Sequence, residues 1–343
     1  MKIVCDNKVR FINKAFDGLA DIVYMPGREI DNASVKDADA LIVRTRTKCD
    51  KNLLYGSNVK FIGTATIGYD HIDTDYCNHN GIFWTNAPGC NSGSVCQYIV
   101  SVLTCLSARF RFSYNATTLG VIGAGHVGAK VIKAAKIMGF NVLVNDPPLQ
   151  ESGNNDYDFC TLDYLLQHSD IVDIHVPLNN DGKYPTFHLC NQDFINKMKD
   201  GAFLINSSRG PVVDNQLLLK ALEANKLTAA VLDVWENEPD INRDLLNKVF
   251  IATPHIAGYS VDGKANATMQ IVRSLSNFFN LGIDNWTPDI SALGGKPLSY
   301  ADLTDYNAII DSYLVFYDSI KLKEAPEKFE FFRENYPTRR ESL

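Results

Sequence analysis

Short apolar runs alternate with amphipathic segments along most of this chain. Five apolar or β-branched runs in the first part predict strands, at residues 3–5, 22–24, 40–43, 61–64 and 82–84. The segments between them carry apolar residues at helical spacing, and we predict helices at 9–19 and 71–79. Strands that alternate with helices favour a parallel sheet, because a parallel connection needs a crossover segment.

The same alternation resumes after a long helix-compatible segment at residues 92–110. Further strands are predicted at 119–122, 141–145, 171–176, 202–206, 227–234 and 250–253, and further helices at 129–138, 261–281 and 304–322. The pattern predicts an α/β protein with two doubly wound, parallel-sheet, Rossmann-like domains, a cleft between them and a small C-terminal segment. We assign residues 1–95 and 260–288 to a substrate-binding domain, 96–259 to a nucleotide-binding domain and 289–343 to the C-terminal segment.

One stretch between a predicted strand and a predicted helix has the glycine spacing of a dinucleotide-binding turn. Gly123, Gly125 and Gly128 follow the apolar run directly and form G-x-G-x-x-G. In such turns the first glycine permits the tight turn, the second allows the pyrophosphate to approach, and the third allows close helix–strand packing. The N-terminus of the helix favours the negative phosphates. The sequence therefore predicts a dinucleotide site.

The next predicted strand ends in an acidic residue, Asp146. It lies eighteen residues beyond Gly128, where a Rossmann unit places the carboxylate that binds the adenosine ribose. A carboxylate in this position repels the 2′-phosphate of NADP. We therefore predict NAD as the cofactor.

Charge and composition narrow the classes of protein that remain. The formal net charge of −7 argues against a nucleic-acid-binding surface, and no run of eighteen apolar residues suggests a membrane span. Eight cysteines are scattered without C-x-x-C or Cys/His ligand spacing, so we predict neither a metal site nor disulfides. The N-terminus lacks the apolar core of a signal peptide, and a cytoplasmic protein is the expectation.

Three residues with complementary chemistry follow predicted strands of the second domain. Arg209 can bind a carboxylate through two hydrogen bonds, and a neutral His255 can accept the proton of a hydroxyl group. Glu238 beside the imidazole would orient the ring and stabilise its protonated form. Because the carboxyl ends of parallel strands share one sheet edge, these side chains should meet beside the dinucleotide. The set predicts oxidation of a 2-hydroxy acid.

Several motifs make the chain similar to the D-isomer-specific 2-hydroxyacid dehydrogenases over nearly its whole length. They are GTATIGYDHID, GAGHVG, INSSRGPVVDNQLLLKAL, VLDVWENEPD and TPHIAG. The segments NAPGCNSGSV, HVPLNNDGKYPTFHL and HIAGYSVDGKANAT resemble one branch of this family. That branch oxidises 4-phospho-D-erythronate to 3-hydroxy-2-oxo-4-phosphooxybutanoate with NAD, in pyridoxine (vitamin B6) biosynthesis.

The resemblance implies roles for the matching residues. Arg209, Glu238 and His255 fall on the catalytic positions of the family, with His255 as the acid–base group. Positions that line NAD in the family correspond to Gly123, Gly125, His126, Val127, Gly128, Asp146, Val176, Ser207, Ser208, Arg209, Asp233 and Gly258. Val176 stands where the family has a threonine, so we expect no side-chain hydrogen bond there. Substrate-contacting positions correspond to Thr45, Thr66 and Tyr259.

A phosphorylated substrate also needs positive charge. Arg44 and Arg46 flank Thr45 just after a predicted strand, and Lys264 is a further candidate. The two arginines either bind the substrate phosphate or are ordinary solvated surface side chains. The C-terminal segment, which includes FEFFRENYPTRRE, resembles a dimerisation domain of the branch and implies a homodimer. It could equally pack on its own subunit.

Two other functions remain open from the sequence. One is a related dehydrogenase that acts on another 2-hydroxy acid, such as 3-phosphoglycerate or a glyoxylate-type substrate. The other is a non-catalytic NAD(H)-sensing scaffold that kept the fold and works by binding a partner. The DGKYPTFHL segment disfavours the first, and the Arg209, Glu238 and His255 set disfavours the second.

Overall fold

Two separate parallel sheets organise the chain. The computed structural model describes residues 1–295, 297–337, 339–341 and 343. The first unit comprises Met1–Asn91 and Ser260–Gly294, and the second comprises Ser92–Tyr259 and Gly295–Leu343. The described part of the segment 295–343 thus belongs to the nucleotide-binding unit. Two parallel-sheet α/β units are the fold class that the sequence predicts, and this prediction is confirmed.

The strands and helices are numbered in chain order. The strands are β1 (Lys2–Asp6), β2 (Asp21–Met25), β3 (Ala40–Val43), β4 (Phe61–Thr64), β5 (Phe83–Thr85), β6 (Thr118–Ile122), β7 (Asn141–Asn145), β8 (Ile171–Ile174), β9 (Ala202–Asn206), β10 (Leu227–Leu232) and β11 (Ile251–Ala252). The helices are α1 (Asn32–Val35), α2 (Lys51–Leu54), α3 (Thr74–His79), α4 (Ser92–Phe110), α5 (His126–Met138), α6 (Pro147–Glu151), α7 (Leu162–His168), α8 (Gln192–Lys197), α9 (Asn215–Glu223), α10 (Arg243–Lys248), α11 (Val261–Phe279), α12 (Tyr306–Ser312), α13 (Val315–Glu324) and α14 (Phe329–Glu334).

The sheet of the first unit has the order β2-β1-β3-β4-β5, with every named pairing parallel. Helix α11 returns to this unit and packs against β4. Gly63 makes the close approach possible, since a Cβ there would lie 2.5 Å from Cγ2 of Ile271. Phe61 on the same strand contacts Phe278 and Phe279 of α11, with ring centroids 5.6 and 6.4 Å apart.

The sheet of the second unit has the order β11-β10-β9-β8-β6-β7, again with parallel pairings. The register aligns the carboxyl ends of all six strands in one row. That row consists of Asn145, Ile122, Ile174, Asn206, Leu232 and Ala252. The segments that follow these residues therefore emerge at one edge of the sheet, and the central helix α4 is buried along most of its length.

The predicted helix at 9–19 is wrong, because this segment forms a series of turns. Phe11 and Lys14 have φ angles of 64° and 66°, which lie in the left-handed region and interrupt a right-handed helix. Hydrogen bonds such as Ala15 N to Ile12 O span only three residues. The apolar spacing that suggests a helix instead buries Val9, Ile12 and Phe16 against the sheet of this unit.

The predicted helix at 304–322 is divided into α12 and α13. Tyr313 between them is extended, with φ −165° and ψ 123°. Ser101 of α4 holds the break, because its hydroxyl donates to Tyr313 O and accepts the N–H of Val315. Packing on α4 therefore interrupts a segment that local spacing alone would keep helical.

Within the described ranges, the structure has no helix with the length and apolar character of a membrane span.

Candidate active site

The glycine turn after β6 has the geometry that a bound dinucleotide requires. Gly123 has φ +91°, and a Cβ there would lie 2.5 Å from His175 O. Gly128 touches the turn itself, since its Cβ would lie 1.9 Å from Gly123 O. Gly125 faces open space, because a Cβ there would meet no atom within 4 Å, and no side chain caps α5 at this residue. Backbone N–H groups at the start of α5 can therefore face a phosphate.

Asp146 lies at the end of β7, beside the glycine turn. One carboxylate oxygen accepts the N–H of Ala124 at 2.8 Å, and the other caps α6 by accepting the N–H of Leu149 at 3.0 Å. The side chain is thus held against the turn by two backbone groups. Each oxygen keeps acceptor capacity for a ribose hydroxyl, because a carboxylate oxygen has two lone pairs.

His255 and Glu238 form a hydrogen-bonded pair beyond β11 and β10. His255 Nδ1 lies 2.8 Å from Glu238 Oε2, and the side chains are 30% and 17% exposed. An ionised carboxylate only accepts hydrogen bonds, so the pair places the proton on Nδ1 and leaves Nε2 as the basic atom. His255 has φ 58°, an uncommon backbone conformation for a non-glycine residue, and such strain is often found at functional sites.

The pKa of Glu238 lies below that of an ordinary glutamate. Burial alone raises the pKa, but the charge and hydrogen bond of His255 and the N–H of Trp235 outweigh it. Glu238 Oε1 accepts that N–H at 2.9 Å. Both carboxylate oxygens are therefore engaged, and Glu238 remains ionised opposite the imidazole.

Arg209 follows β9 in a loop that Asn206 organises. Asn206 Oδ1 accepts the N–H and the hydroxyl of Ser208, and its Nδ2 donates to Arg209 O at 3.0 Å. Gly210 lies against the next loop, since a Cβ there would be 1.9 Å from Trp235 O. This close approach joins the loop that carries Arg209 to the loop that carries Glu238. The role of Asn206 was not predicted, although its position at the end of a strand, before SSRG, was a signal.

Asp233 is a buried anchor for the loop that carries His255. Its carboxylate accepts the Thr253 hydroxyl at 2.6 Å and the N–H groups of Ile256 and Ala257 at 2.8 and 2.9 Å. Burial raises the pKa of Asp233, while the charge of His255 and these hydrogen bonds act in the opposite direction. Asp233 is 1% exposed, and the three partners of its carboxylate all belong to the second unit.

The C-terminal segment adds two arginines to this site that the sequence analysis did not select. Arg339 is 5% exposed and donates from Nη2 to the Ala257 carbonyl and the Ser94 hydroxyl. Arg333 Nη1 lies 4.0 Å from Glu238 Oε2. Two residues thus hold the loop that carries His255. Asp233 accepts hydrogen bonds from two N–H groups of this loop, and Arg339 donates to one of its carbonyl groups.

Other predicted cofactor positions lie along the same edge. His126 and Val127 begin α5, Val176 follows β8 and lies beside Gly123, and Gly258 follows the His255 loop. The Ser207 hydroxyl is buried and has no hydrogen-bond partner among the described residues, so it is available to a ligand. In the described ranges no group of His, Cys, Asp or Glu side chains could hold a metal ion.

The predicted substrate positions are divided between the units. Arg44, Thr45 and Arg46 follow β3 in the first unit, where Thr45 and Arg46 are exposed and Arg44 is half-buried. Thr66 follows the neighbouring strand β4, and its hydroxyl donates to Gly68 O at 2.9 Å. Tyr259 belongs to the second unit, where it hydrogen-bonds to Arg333.

Comparison with known proteins adds independent information. Residues 107–257 match the family model described as D-isomer specific 2-hydroxyacid dehydrogenase, NAD binding domain. Erythronate-4-phosphate dehydrogenase from Bacteroides fragilis is 47% identical over 99% of this chain and 97% of the relative. The protein of the same name from Bacteroides thetaiotaomicron is 46% identical over the same shares of both chains.

A similar solved structure is D-lactate dehydrogenase from Aquifex aeolicus, complexed with NAD and lactic acid. It is 28% identical, with a TM-score of 0.66 over 83% of this chain and 97% of that chain.

Proposed function

This chain belongs to the erythronate-4-phosphate dehydrogenase family, and on that premise we propose that it oxidises the C2 hydroxyl of 4-phospho-D-erythronate with NAD. The product is (R)-3-hydroxy-2-oxo-4-phosphooxybutanoate, which places the reaction in pyridoxal phosphate (vitamin B6) biosynthesis. The observation that carries the proposal is the 2.8 Å pair of His255 and Glu238 at the sheet edge that holds the glycine turn. The protein is an NAD-dependent dehydrogenase.

The residues of the second unit fit NAD. The open space beside Gly125 and the uncapped start of α5 suit a pyrophosphate, and the carboxylate of Asp146 suits a ribose hydroxyl. His126, Val127, Val176, Ser207 and Gly258 complete the proposed lining. When bound, NAD supplies the hydride acceptor.

The side chains divide the remaining work. His255 Nε2 takes the hydroxyl proton as the hydride leaves the same carbon, and Glu238 holds Nδ1 so that the ring presents this nitrogen. Arg209 binds the substrate carboxylate and orients the reacting carbon. Proton removal by an oriented base contributes about 10²–10⁴ in rate, and we assign this contribution to His255.

The substrate phosphate needs further cations. We assign this role to Arg44 and Arg46, with contacts from Thr45, Thr66 and Tyr259. Two guanidinium groups on one loop, in a protein of net charge −7, support the assignment. The same positive charge would disfavour substrates that lack a phosphate.

A homodimer is the proposed assembly. Helices α13 and α14 expose four large apolar side chains, which are Phe316, Tyr317, Ile320 and Phe331. Tyr317 is 63% exposed and Phe331 is 60% exposed, and large exposed apolar patches mark contact surfaces.

A substrate panel tests the activity. The purified protein is incubated with NAD and 4-phospho-D-erythronate, D-3-phosphoglycerate, D-glycerate or D-lactate, and NADH formation is followed by absorbance. We expect the highest kcat/KM with 4-phospho-D-erythronate. A higher value with another acid would replace the proposed substrate, and NADH binding without turnover of any acid would indicate a sensing scaffold.

A further inference from the structure

Helix α14 brings a cation to the pair of His255 and Glu238. Arg333 Nη1 lies 4.0 Å from Glu238 Oε2, which is the oxygen that bonds His255 Nδ1 at 2.8 Å. These two distances place the guanidinium nitrogen no more than about 7 Å from the imidazole. The Arg333 side chain is 20% exposed, so water screens its charge weakly.

The contacts of Arg333 are not those of an ordinary structural ion pair. Its nearest carboxylates, Glu238 and Glu330, lie at 4.0 and 3.9 Å, which is beyond hydrogen-bond distance. Its Nε is buried and has no hydrogen-bond partner among the described residues, although Tyr259 does bond to the side chain. A buried guanidinium without a close carboxylate costs stability. Its placement beside the base therefore calls for a functional explanation.

Two arginines oppose the carboxylates near His255: Arg339, whose charge acts on Asp233, and Arg333, which lies beside Glu238. Glu238 contacts the imidazole, and the charge of the buried Asp233, just after β10, also acts on His255, so two carboxylates favour the protonated ring. Arg333 opposes them from α14, and Glu330 on the same helix partly offsets Arg333. The phenol of Tyr259 is neutral in the physiological range. A base in the oxidation direction must be unprotonated, so an opposing cation extends activity to lower pH.

We propose that Arg333 is a positioning residue that acts through Glu238, holding it ionised while limiting protonation of His255. The proposal rests on the proposed function, in which His255 is the base. It assigns the C-terminal segment a part in catalysis in addition to any part in assembly.

The test combines enzyme kinetics with NMR. The acid limb of kcat/KM is the part of its pH profile where the value falls towards low pH. Arg333→Gln should move this limb to higher pH by about half to one unit, because one positive charge within about 7 Å of the imidazole is removed. Arg333→Lys keeps the charge and should keep the limb near its original position. Glu330→Gln leaves Arg333 less compensated and should move the limb to lower pH, which provides a test even if Arg333→Gln fails to fold.

The matched control is Lys328→Gln, which removes an equal charge from an exposed position at the start of α14. Solvent and salt screen that charge, so the limb should not move. A purely structural role for Arg333 predicts a lower kcat at every pH with an unmoved limb, and that result would overturn the proposal. A rise in KM for the phosphorylated substrate alone, again with an unmoved limb, would overturn it in favour of direct phosphate binding.

An NMR titration of the His255 ring needs no turnover. One of seven histidines is followed, and the His255→Gln spectrum assigns its signal. In Arg333→Gln the ring should take up its proton at higher pH than in the unsubstituted protein. If that midpoint is unmoved, the proposal fails even where the enzyme is active. If it moves and the unsubstituted protein oxidises no 2-hydroxy acid, the electrostatic role is supported and the proposed function fails.

Discussion

At the scale of single residues, the site depends on a few charged groups whose partners are defined. Glu238 uses one oxygen for Trp235 and the other for His255, so the imidazole is oriented by a carboxylate that is itself held by backbone. Asp233 holds the following residues in the same way. The imidazole is therefore pre-organised for the role proposed for it, which would spare the reaction the cost of ordering the ring.

The substitution Glu238→Gln tests this orientation. It removes the charge that favours the protonated ring, so the acid limb of kcat/KM in the oxidation direction should move to lower pH by about one unit. The maximal kcat should also fall, because an amide can present its NH₂ group to the ring and select the wrong tautomer. Steady-state kinetics across pH provide the measurement, with the exposed Glu334→Gln as the control. An unmoved limb would contradict the assigned role of Glu238.

Arg44 and Arg46 are tested by their effect on substrate choice. Charge-assisted hydrogen bonds contribute about 1.5–3 kcal/mol each, so Arg44→Ala or Arg46→Ala should lower kcat/KM for 4-phospho-D-erythronate by about 10–150-fold. The value for unphosphorylated D-erythronate should change little. Lys48→Ala is the matched control, because Lys48 is a nearby cation paired with Asp50 at 3.2 Å. Equal losses on both substrates would remove the phosphate assignment.

At the scale of elements, the glycines of the strand–turn–helix unit serve two different purposes, ligand binding and packing of the fold. Gly128 and Gly123 touch each other, whereas Gly125 faces open space. Two glycines of one motif are therefore required for different reasons. Gly128 is required because other atoms of the protein occupy the space that a Cβ would need. Gly125 is required because a bound ligand would occupy the space beside it.

Gly125→Ala should mainly weaken NAD binding, whereas Gly128→Ala should mainly lower the free energy of unfolding. Gly125 has φ −69°, which any residue adopts, so its substitution should change the free energy of unfolding by no more than about 0.5 kcal/mol. It should nevertheless weaken NAD binding at least about tenfold. Gly128→Ala forces a methyl group against Gly123 O and should cost about 1–3 kcal/mol. Chemical unfolding and NAD titration measure both effects, and similar stabilities for the two variants would contradict this division.

The segment after α14 should stabilise the His255 loop. Arg339 donates to the Ala257 carbonyl and lies over the ring of Tyr313, at 4.3 Å from the ring centre. Arg339→Met removes a buried cation whose charge acts on Asp318 and Asp233, together with its hydrogen bonds, and should reduce the free energy of unfolding by about 3–5 kcal/mol. Arg339→Lys retains the charge without the planar fork and should lose less. Urea unfolding ranks the two, with exposed Lys328→Met as the control; equal stability of all three variants would show that Arg339 is not an anchor.

At the scale of the whole molecule, the described part of the C-terminal segment has two surfaces with different uses. One packs on α4 and the His255 loop through Ser101, Arg339 and their partners. The other exposes the apolar side chains of α13 and α14. The same segment can thus support the site and carry the proposed contact between two copies of the chain.

Sedimentation velocity tests the proposed homodimer. The unsubstituted chain should sediment as a dimer, and the double variant Tyr317→Asp, Phe331→Asp should sediment as a monomer, because two charges would be buried in an apolar contact. Phe187→Asp changes a comparably exposed aromatic residue outside these helices and should leave the dimer intact. A monomeric unsubstituted chain would remove the proposal.

Most strands and helices could be predicted because the sequence patterns that indicate them extend over only a few neighbouring residues. Runs of apolar residues marked most strands to within two residues, and the helix predicted at 129–138 lies within α5, which begins three residues earlier at His126. Failures occurred where packing overrode local spacing. A hydrogen bond from Ser101 to Tyr313 O interrupts the helix predicted at 304–322. Phe11 and Lys14 adopt left-handed backbone conformations that prevent the helix predicted at 9–19.

The sequence by itself determined the chemical types at the sheet edge, because Arg209, Glu238 and His255 each lie in the segment after a different strand. Only the tertiary structure decided that Arg333 faces Glu238 and that Arg339 and Asp233 hold the same loop. Arg339 and Ala257, for example, are 82 positions apart, and no repeating pattern connects such positions. These contacts arise when the C-terminal helices pack against the rest of the second unit, since burial brings charges together that the linear chain keeps apart.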